Sequence, residues 1–179
     1  MSVALEIRDG TLLRHGAGDD FLAIDSLRKR EGSALGFLPR AVYESVLLQV
    51  PDGGRMRWRY MDCVVTEDNG DFTGFCFTSY AAAEAKVVQI VVRQDARRWH
   101  RALLMLDHVE TEARKRHRHG LTCRVASDLE SNLFWRGCGF TLESVETSTW
   151  LNQRESNSRR PLNIYRKLFA GAPTQSVLL

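Results

Sequence analysis

The sequence has no run of apolar residues approaching the roughly 18 that a helix needs to cross a membrane. Its first ten residues, MSVALEIRDG, also lack the basic and apolar regions that mark a secretory signal. Both absences favour a cytoplasmic protein that does not enter a membrane.

Cysteine is scarce and scattered along the chain. Its four copies, Cys63, Cys76, Cys123 and Cys138, form no C-x-x-C pair and stand at no spacing with histidine that is typical of a zinc site. The sequence therefore predicts no metal site and no disulfide framework. We expect reduced thiols that mostly pack between strands.

Charge of one sign is not in large excess, since 25 lysines and arginines face 22 aspartates and glutamates, a net charge of +3. That balance does not by itself indicate a nucleic-acid partner. The distribution is more informative, because basic residues cluster at 93–101, 114–119 and 154–167. A chain of 179 residues can bury a core, so we expect one domain, 1–169, and a flexible tail, 170–179.

Hydrophobic periodicity and turn residues predict the element order β-α-α-β-β-β-α-β-α-β-β. ALEIRD alternates as a strand, helices are predicted over 20–31 and 39–49, and DNGD joins MRWRYMDCVVTE to DFTGFCFTSY as a hairpin, because Asn-Gly tolerates positive φ. The β-branched AKVVQIVVR is the predicted central strand, and a helix over 97–117, stopped by Gly120, follows it. This order describes an α/β protein with a mixed sheet.

Arginines cluster where the predicted central strand leads into the long helix, in VVRQDARRWHRALL. Backbone N–H groups at a helix start have no partner within the helix and, together with the helix dipole, attract an anion. Arg97, Arg98 and Arg101 around such a start would hold phosphate by charge-assisted hydrogen bonds. The alternative is a solvated helix start, although a first turn usually prefers acidic residues.

Two motifs resemble those of the GNAT superfamily of acyl-CoA-dependent N-acyltransferases, and the resemblance spans about residues 3–169. The family's pyrophosphate loop reads V-x-P-x-x-R/Q-G-x-G-x-G/A. Here VRQDARRWHRA corresponds to it. Val92 stands at the family's Val and Arg97 at its Arg or Gln, while His100 stands at the middle Gly and Ala102 at the last small residue.

The second motif of the family is N-x-x-A-x-x-F-Y-x-x-x-G-F, and DLESNLFWRGCGF corresponds to it. Phe134, Gly139 and Phe140 are identical to the motif. The residues that replace its Asn, Ala and Tyr are Asp128, Ser131 and Trp135.

The resemblance implies a GNAT-like α/β fold, in which a mixed, mostly antiparallel central sheet is flanked by about four helices. Strands 4 and 5 of the predicted order, AKVVQIVVR and LTCRVAS, would splay apart to hold acetyl-CoA or another acyl-CoA. The acyl group would pass to an amine by direct attack in a ternary complex, with the backbone of residues 90–92 polarising the carbonyl. The residues that the resemblance places at the coenzyme are Ile90, Val91, Val92, Arg97, Arg98, Trp99, His100, Arg101, Ala102, Asp128, Ser131, Phe134 and Trp135.

Two of the departures from the family pattern bear on coenzyme binding and catalysis. His100 brings a side chain to the position of a glycine, and we expect the coenzyme still to bind if the backbone there keeps a helical φ. Trp135 stands where a tyrosine commonly protonates the leaving thiolate, and an indole N–H is a poor acid. Either another group does this or the thiolate leaves unaided.

Three residues are candidates for the catalytic roles. Glu84, which begins the central strand, is a candidate general base, with an ordinary surface carboxylate as the alternative. Tyr43 and Tyr165 are candidate acids, with packing in the core as the alternative.

The acceptor predicted first is a small-molecule or protein amine. A looser resemblance, carried by EGSALGFLP and RPLNIY, is to phage-associated GNAT-like proteins of the Mom DNA-modification type. It implies a DNA base as an alternative acceptor. The residues it would use are Arg154, Arg159, Arg160 and Lys167 at phosphates, and Asn163 and Tyr165 near a flipped base. A non-catalytic acyl-CoA-binding protein is a third alternative, and we expect a monomer or homodimer.

Overall fold

The computed structural model describes residues 4–8, 10–32, 35–36, 38–97, 100–147 and 160–171. Most of the predicted tail, 172–179, lies outside these ranges. So do four residues that the sequence analysis named, Arg98, Trp99, Arg154 and Arg159. Among the described helices, none combines the length and apolarity that a membrane crossing requires.

The described strands form one eight-stranded sheet in the order β1-β2-β3-β4-β5-β6-β8-β7. Neighbouring strands are antiparallel except β5 and β6, which are parallel, so the predicted mixed, mostly antiparallel sheet is confirmed. The strands are β1 (Ala4–Arg8), β2 (Thr11–His15), β3 (Met61–Asp68), β4 (Asp71–Ser79), β5 (Ala85–Val92), β6 (Gly120–Ala126), β7 (Thr141–Thr147) and β8 (Pro161–Leu168).

Helices cover both faces of the sheet. They are α1 (Phe21–Arg30), α2 (Arg40–Leu48), α3 (Arg101–Lys115) and α4 (Ser131–Gly137). The first two pack their apolar stripes, such as Leu27 and Val46, against Val65 and Phe75 of the sheet. The other two pack on the opposite face, where Leu106 of α3 belongs to the same core as Tyr165 and Trp135. Strand side chains alternate between these two cores because successive residues point to opposite faces.

The hairpin predicted across DNGD is confirmed. Strands β3 and β4 pair up to Asp68 and Asp71, and only Asn69 and Gly70 lie between them. Their φ angles, 51° and 88°, are both positive, as a two-residue turn that follows the twist of the strands requires.

Two predictions about strands were wrong. The first predicted strand is followed by a second one, β2, which turns back at Gly10 (φ 78°) and buries Leu13 completely. The strand predicted from Met56 begins only at Met61, because residues 57–59 form a turn of 3-10 helix.

The prediction that Gly120 stops the long helix was also wrong. α3 ends at Lys115, and His117 takes the left-handed conformation (φ 54°) that lets the Arg118 N–H donate to the Ala113 carbonyl over 2.8 Å. Gly120 instead opens β6, where the neighbouring strand approaches closely. A Cβ built on it would lie 2.4 Å from the Lys167 carbonyl oxygen.

Gly120→Ala should therefore destabilise the protein by about 2 kcal/mol, because the obstructing atoms belong to the backbone of β8 and cannot move aside cheaply. The melting temperature should fall by about 5 °C, measured by calorimetry. Gly137→Ala is the matched control, since a Cβ on that helical glycine meets nothing within 4 Å. It should raise stability by about 0.5 kcal/mol. Equal effects of the two changes would contradict the close approach at β6.

Candidate functional site

The parallel strands β5 and β6 stay together only at their starts. Three residue pairs join them, the last being Val87 with Cys123. Beyond that pair β5 continues along β4 to Val92, whereas β6 continues along β8 to Ala126. These are strands 4 and 5 of the predicted order, renumbered because β2 was missed. Their predicted divergence is confirmed.

A β-bulge in β5 lies where the two strands part. Phe77 of β4 stands opposite Gln89, while the next residue of β4, Thr78, stands opposite Val87. Val88 is therefore an extra residue on β5. A bulge disrupts the regular ladder of hydrogen bonds and redirects side chains, and such irregularities are frequent next to active sites.

The gap between the diverging strands is a cleft of about 420 Å³. Apolar side chains of both strands and of α4 form most of its floor, and the start of α3 lies at its open end. The lining residues are Leu35, Gly36, Val87, Val88, Gln89, Ile90, Val92, Ala96, Arg97, His100, Arg101, Ala102, Leu103, Cys123, Arg124, Val125, Leu129, Ser131, Phe134 and Trp135.

The first turn of α3 faces the cleft without a side-chain cap or an acidic residue. The backbone N–H groups of residues 101–103 thus have no partner within the helix. With the positive end of the helix dipole, they make this wall of the cleft suited to an anion.

Arg101 is held in place by its own ion pair. Its guanidinium pairs with Asp68 at the end of β3 and donates to the Ala96 carbonyl over 2.7 Å, and its side chain is 10% exposed. This ion pair compensates the charge of Arg101 and fixes the start of α3 against the β3–β4 hairpin. Its predicted phosphate contact stays a prediction.

Arg97 is more accessible than Arg101, with a side chain that is 48% exposed. Its Nη2 lies 2.7 Å from a carboxylate oxygen of Glu31, just after α1, and its Nε donates to the Val92 carbonyl over 3.2 Å. The Glu31 carboxylate thus occupies part of the guanidinium that an anion in the cleft would use.

His100 departs from the expectation of a helical backbone. It is the residue before α3 and has φ 60° and ψ 4°, in the left-handed region. For a residue with a Cβ this conformation costs about 1–2 kcal/mol. The glycine of the family motif therefore has a conformational reason as well as a steric one.

The inner end of the cleft is organised by Gln89. This buried side chain accepts a hydrogen bond from the Tyr43 hydroxyl and donates from Nε2 to the Gly36 carbonyl over 2.6 Å. Burial raises the pKa of Tyr43 to about 12. Tyr43 is behind the lining rather than in it, and a phenol with so high a pKa is a poor proton donor to a thiolate and a poor base.

Glu84 does not lie in the cleft, contrary to the prediction of a general base. It precedes β5 at the end where β5 and β6 are still paired, and its carboxylate accepts hydrogen bonds from the Arg166 guanidinium, which also pairs with Glu143. Glu84 is thus part of an ion-pair network between β5, β8 and β7.

Tyr165 and Asn163 also lie away from the cleft. Both belong to β8 and are buried under α4, where the Tyr165 hydroxyl accepts from Arg136 over 3.2 Å and the Asn163 amide donates to Asn132 over 2.7 Å. Because they face the core, neither is accessible to an acceptor or to a flipped base.

Asp128 and Arg160 form a surface ion pair with each other at 2.8 Å. They join the loop after β6 to the start of β8, and neither lines the cleft. Val91 packs into the core under α1 and α2 instead.

The other described residues that were predicted to bind the coenzyme do meet at the cleft: Ile90, Val92, Arg97, His100, Arg101, Ala102, Ser131, Phe134 and Trp135. Trp135 is 4% exposed and makes edge contacts with Phe134 and Phe140. Among the residues that sequence reasoning missed, Gln89 was the most detectable, since a polar residue in the middle of AKVVQIVVR interrupts a buried apolar strand.

Cys123 is another missed lining residue. All four cysteines are unpaired, as expected, and Cys123 is buried at the last β5–β6 pair. Burial raises the pKa of its thiol, which therefore stays protonated. In the described part of the chain, no group of histidine, cysteine or acidic side chains is arranged to hold a metal ion.

Solved structures share this architecture, although no protein-family model and no curated protein matches the sequence. The chain has the fold of the GNAT acetyltransferases, as the following similarities show. Ribosomal-protein-alanine N-acetyltransferase from Brucella melitensis is 17% identical with a TM-score of 0.68, covering 88% of this chain and 99% of its own.

Two further structures contain ligands. NAA60 from Arabidopsis thaliana, in complex with a bisubstrate analogue, is 9% identical with a TM-score of 0.73, covering 90% of this chain and 99% of its own. A putative streptothricin acetyltransferase from Bacillus anthracis, in complex with acetyl coenzyme A, is 14% identical with a TM-score of 0.56. That match covers 62% of this chain and 63% of the other. At these identities the shared property is the fold.

His100→Gly should stabilise the protein by about 0.5–1 kcal/mol, because glycine adopts φ 60° without the strain that a Cβ imposes. The melting temperature should rise by about 2 °C. His117→Gly is the matched control, since it removes a left-handed histidine far from the cleft and should give a similar rise. A fall on His100→Gly alone would mean that the imidazole makes a stabilising contact that outweighs the strain.

Proposed function

We propose that the protein is an acyl-CoA-dependent N-acyltransferase that moves an acetyl or similar acyl group to an amine. The observation that carries this proposal is the parting of β5 from β6 after a single short ladder, which leaves a cleft that ends at the uncapped start of α3. One end of the cleft suits a charged diphosphate and the remainder suits an uncharged, slender chain. Acyl-CoA has both parts, and it supplies an activated acyl group.

The residues of the cleft fit such a ligand. The N–H groups of residues 101–103 and the guanidinium of Arg97 would hold the diphosphate. Ile90, Val125 and Phe134 form apolar walls on opposite sides of the gap and would pack against the pantetheine arm. The bulge at Val88 then lies at the closed end, where the thioester would arrive.

The reaction proposed is direct attack by the amine on the thioester carbonyl. The C–N bond forms, the C–S bond breaks, the coenzyme leaves as its thiolate, and the proton that the amine loses passes to water. Backbone N–H groups at the β5 bulge would polarise the carbonyl oxygen. Cys123 would not carry the acyl group, because its buried thiol stays protonated.

Proton transfer in this cleft differs from the pattern that the resemblance implies. Trp135 provides no acid, and Tyr43 and Tyr165 lie behind the lining or in the core. A thiol has an ordinary pKa near 8.5, so its thiolate can leave without being protonated. Departure of the unprotonated thiolate is therefore part of the proposal.

The acceptor proposed is a protein or small-molecule amine that approaches from the side of Leu35 and Gly36. Structures with the same fold include enzymes named for acetylating ribosomal-protein alanine, which supports an amine acceptor. A DNA base is less well supported, because Asn163 and Tyr165 are buried away from the cleft. Measurement of thiol release from acetyl-CoA distinguishes a catalytic role from a purely binding one.

Acetyl-CoA should raise the melting temperature by about 5–10 °C at 100 times its dissociation constant, because only the folded state has the cleft. Arg97→Glu should abolish binding, since it places like charge beside the diphosphate. Glu31→Gln should tighten binding about threefold by freeing Arg97. Arg40→Glu on the exposed face of α2 changes the net charge equally and should leave affinity unchanged. Unaltered affinity in Arg97→Glu would refute this placement of the diphosphate.

Trp135→Tyr should raise the rate of thiol release from acetyl-CoA in the presence of an amine, because a phenol can protonate the departing thiolate. The rate is followed with a thiol reagent over a panel of peptides and small amines. Phe140→Tyr is the control, since it adds a phenol to the same aromatic cluster outside the cleft lining. Binding of acetyl-CoA with no thiol release for any acceptor would favour the non-catalytic alternative.

A further inference from the structure

Six consecutive basic residues, RKRHRH at 114–119, run from the last turn of α3 past its end and take no part in the cleft. The wall of the cleft that suits an anion lies at the other end of this helix, which is 15 residues or about 22 Å long. We call this region the basic end, and define it as residues 114–119 together with Lys167.

Part of the basic end borders a shallow depression of the surface. A second cavity, of about 330 Å³, opens there and is lined by Arg114, His117, Arg118, His119, Phe169, Ala170 and Gly171. No carboxylate belongs to this lining among the described residues. Its polar side chains are therefore all potential donors to an anion.

Positive charge at the basic end exceeds the negative charge around it. Glu110 pairs with both Arg114 and Lys167, and Glu112 pairs with both Lys115 and Arg116. Arg118 has no carboxylate partner in the described chain. Its Nη1 donates to the Ala82 carbonyl over 3.0 Å, and its Nε is buried without a hydrogen-bond partner among the described residues. Four of these five cations thus share two carboxylates, and the fifth, Arg118, pairs with none among the described residues.

The helix dipole accounts for only part of this cluster. Cations are favoured in the last turn of a helix, where Arg114 and Lys115 lie. Arg118 and His119 lie beyond the helix end, past the left-handed turn at His117. The dipole acts within about one turn, so it does not explain why the basic run continues.

Contacts with the fold hold several of these side chains in position. The guanidinium of Arg114 stacks over the ring of Phe169 at 4.0 Å, and that of Arg116 over Tyr80 at 4.3 Å. The backbone of His119 bridges two segments, because its N–H donates to Ala83 and its carbonyl accepts from Phe169. Cations that are already oriented lose less conformational entropy on binding an anion.

We propose that the basic end binds the phosphodiester backbone of a nucleic acid. Closely spaced, oriented guanidinium groups match phosphate oxygens by charge-assisted hydrogen bonds. A nucleic-acid backbone presents phosphates repeatedly along its length, so it can engage all of these cations together. This interaction is independent of the proposed acyl transfer, because the two sites lie at opposite ends of α3.

The test is fluorescence anisotropy with a labelled 20-nucleotide single-stranded RNA and a 20-base-pair DNA duplex, at 50–200 mM KCl. The slope of log affinity against log salt should show at least two ions released. Arg114→Gln combined with Lys115→Gln should weaken binding about tenfold at 50 mM salt and reduce the slope by about 1.4 for the single strand or 1.8 for the duplex.

Lys29→Gln combined with Arg40→Gln is the matched control. Both are exposed helical cations paired with a carboxylate on the same helix, as Arg114 and Lys115 are. The control should lose less than twofold, and both double variants should keep the melting-temperature rise with acetyl-CoA that the unmodified protein shows. The preference between the RNA and the duplex identifies the source of the phosphates.

Three outcomes would overturn the proposal. The first is no binding of either nucleic acid by the unmodified protein at 50 mM salt. The second is a salt slope below about one, which is a measurement on the unmodified protein and needs no variant. The third is an equal loss in the control, which would mean that net charge alone attracts the nucleic acid.

Discussion

The divergence of two parallel strands is the constraint on which the rest of the structure depends. β5 remains bonded to β4 along its length, while β6 leaves it for β8 after three residue pairs. A sheet with such a gap needs support on both sides. Arg101 supplies it at the open end by binding Asp68, and Gln89 supplies it at the inner end through Tyr43 and Gly36. The cleft is thus part of the framework rather than a surface feature.

The long helix α3 brings two basic clusters to opposite ends of the molecule, and the fold treats them differently. At its start, Arg101 is neutralised by Asp68 and Arg97 by Glu31, so the uncapped backbone contributes much of the attraction for an anion. At and beyond its end, the cations outnumber their carboxylates, and Arg118 has no carboxylate partner among the described residues. One end therefore suits a single compact anion, whereas the other suits an extended one.

Local patterns predicted much of the fold. The Asn69–Gly70 turn and the apolar stripe of α3 depend on neighbouring residues, so the sequence shows them directly. β2 was missed because five residues carry little periodicity. The positive φ of His100 was missed because it depends on how β5 enters α3. Glu84 and Tyr165 were misplaced because strand register decides which end and which face a side chain occupies. The bulge at Val88 is likewise a property of strand pairing.

The segment between α1 and α2 reaches the cleft through Leu35 and Gly36. Among the described residues, it is joined to the sheet there by the hydrogen bond that the Gln89 amide donates to the Gly36 carbonyl. That bond uses a main-chain oxygen, which every residue type possesses. The identities of the side chains along this segment are therefore free to change without loss of the tether. Evolution can revise what the segment recognises while the strands beneath it stay as they are, which is consistent with a shared fold at sequence identities below 20%.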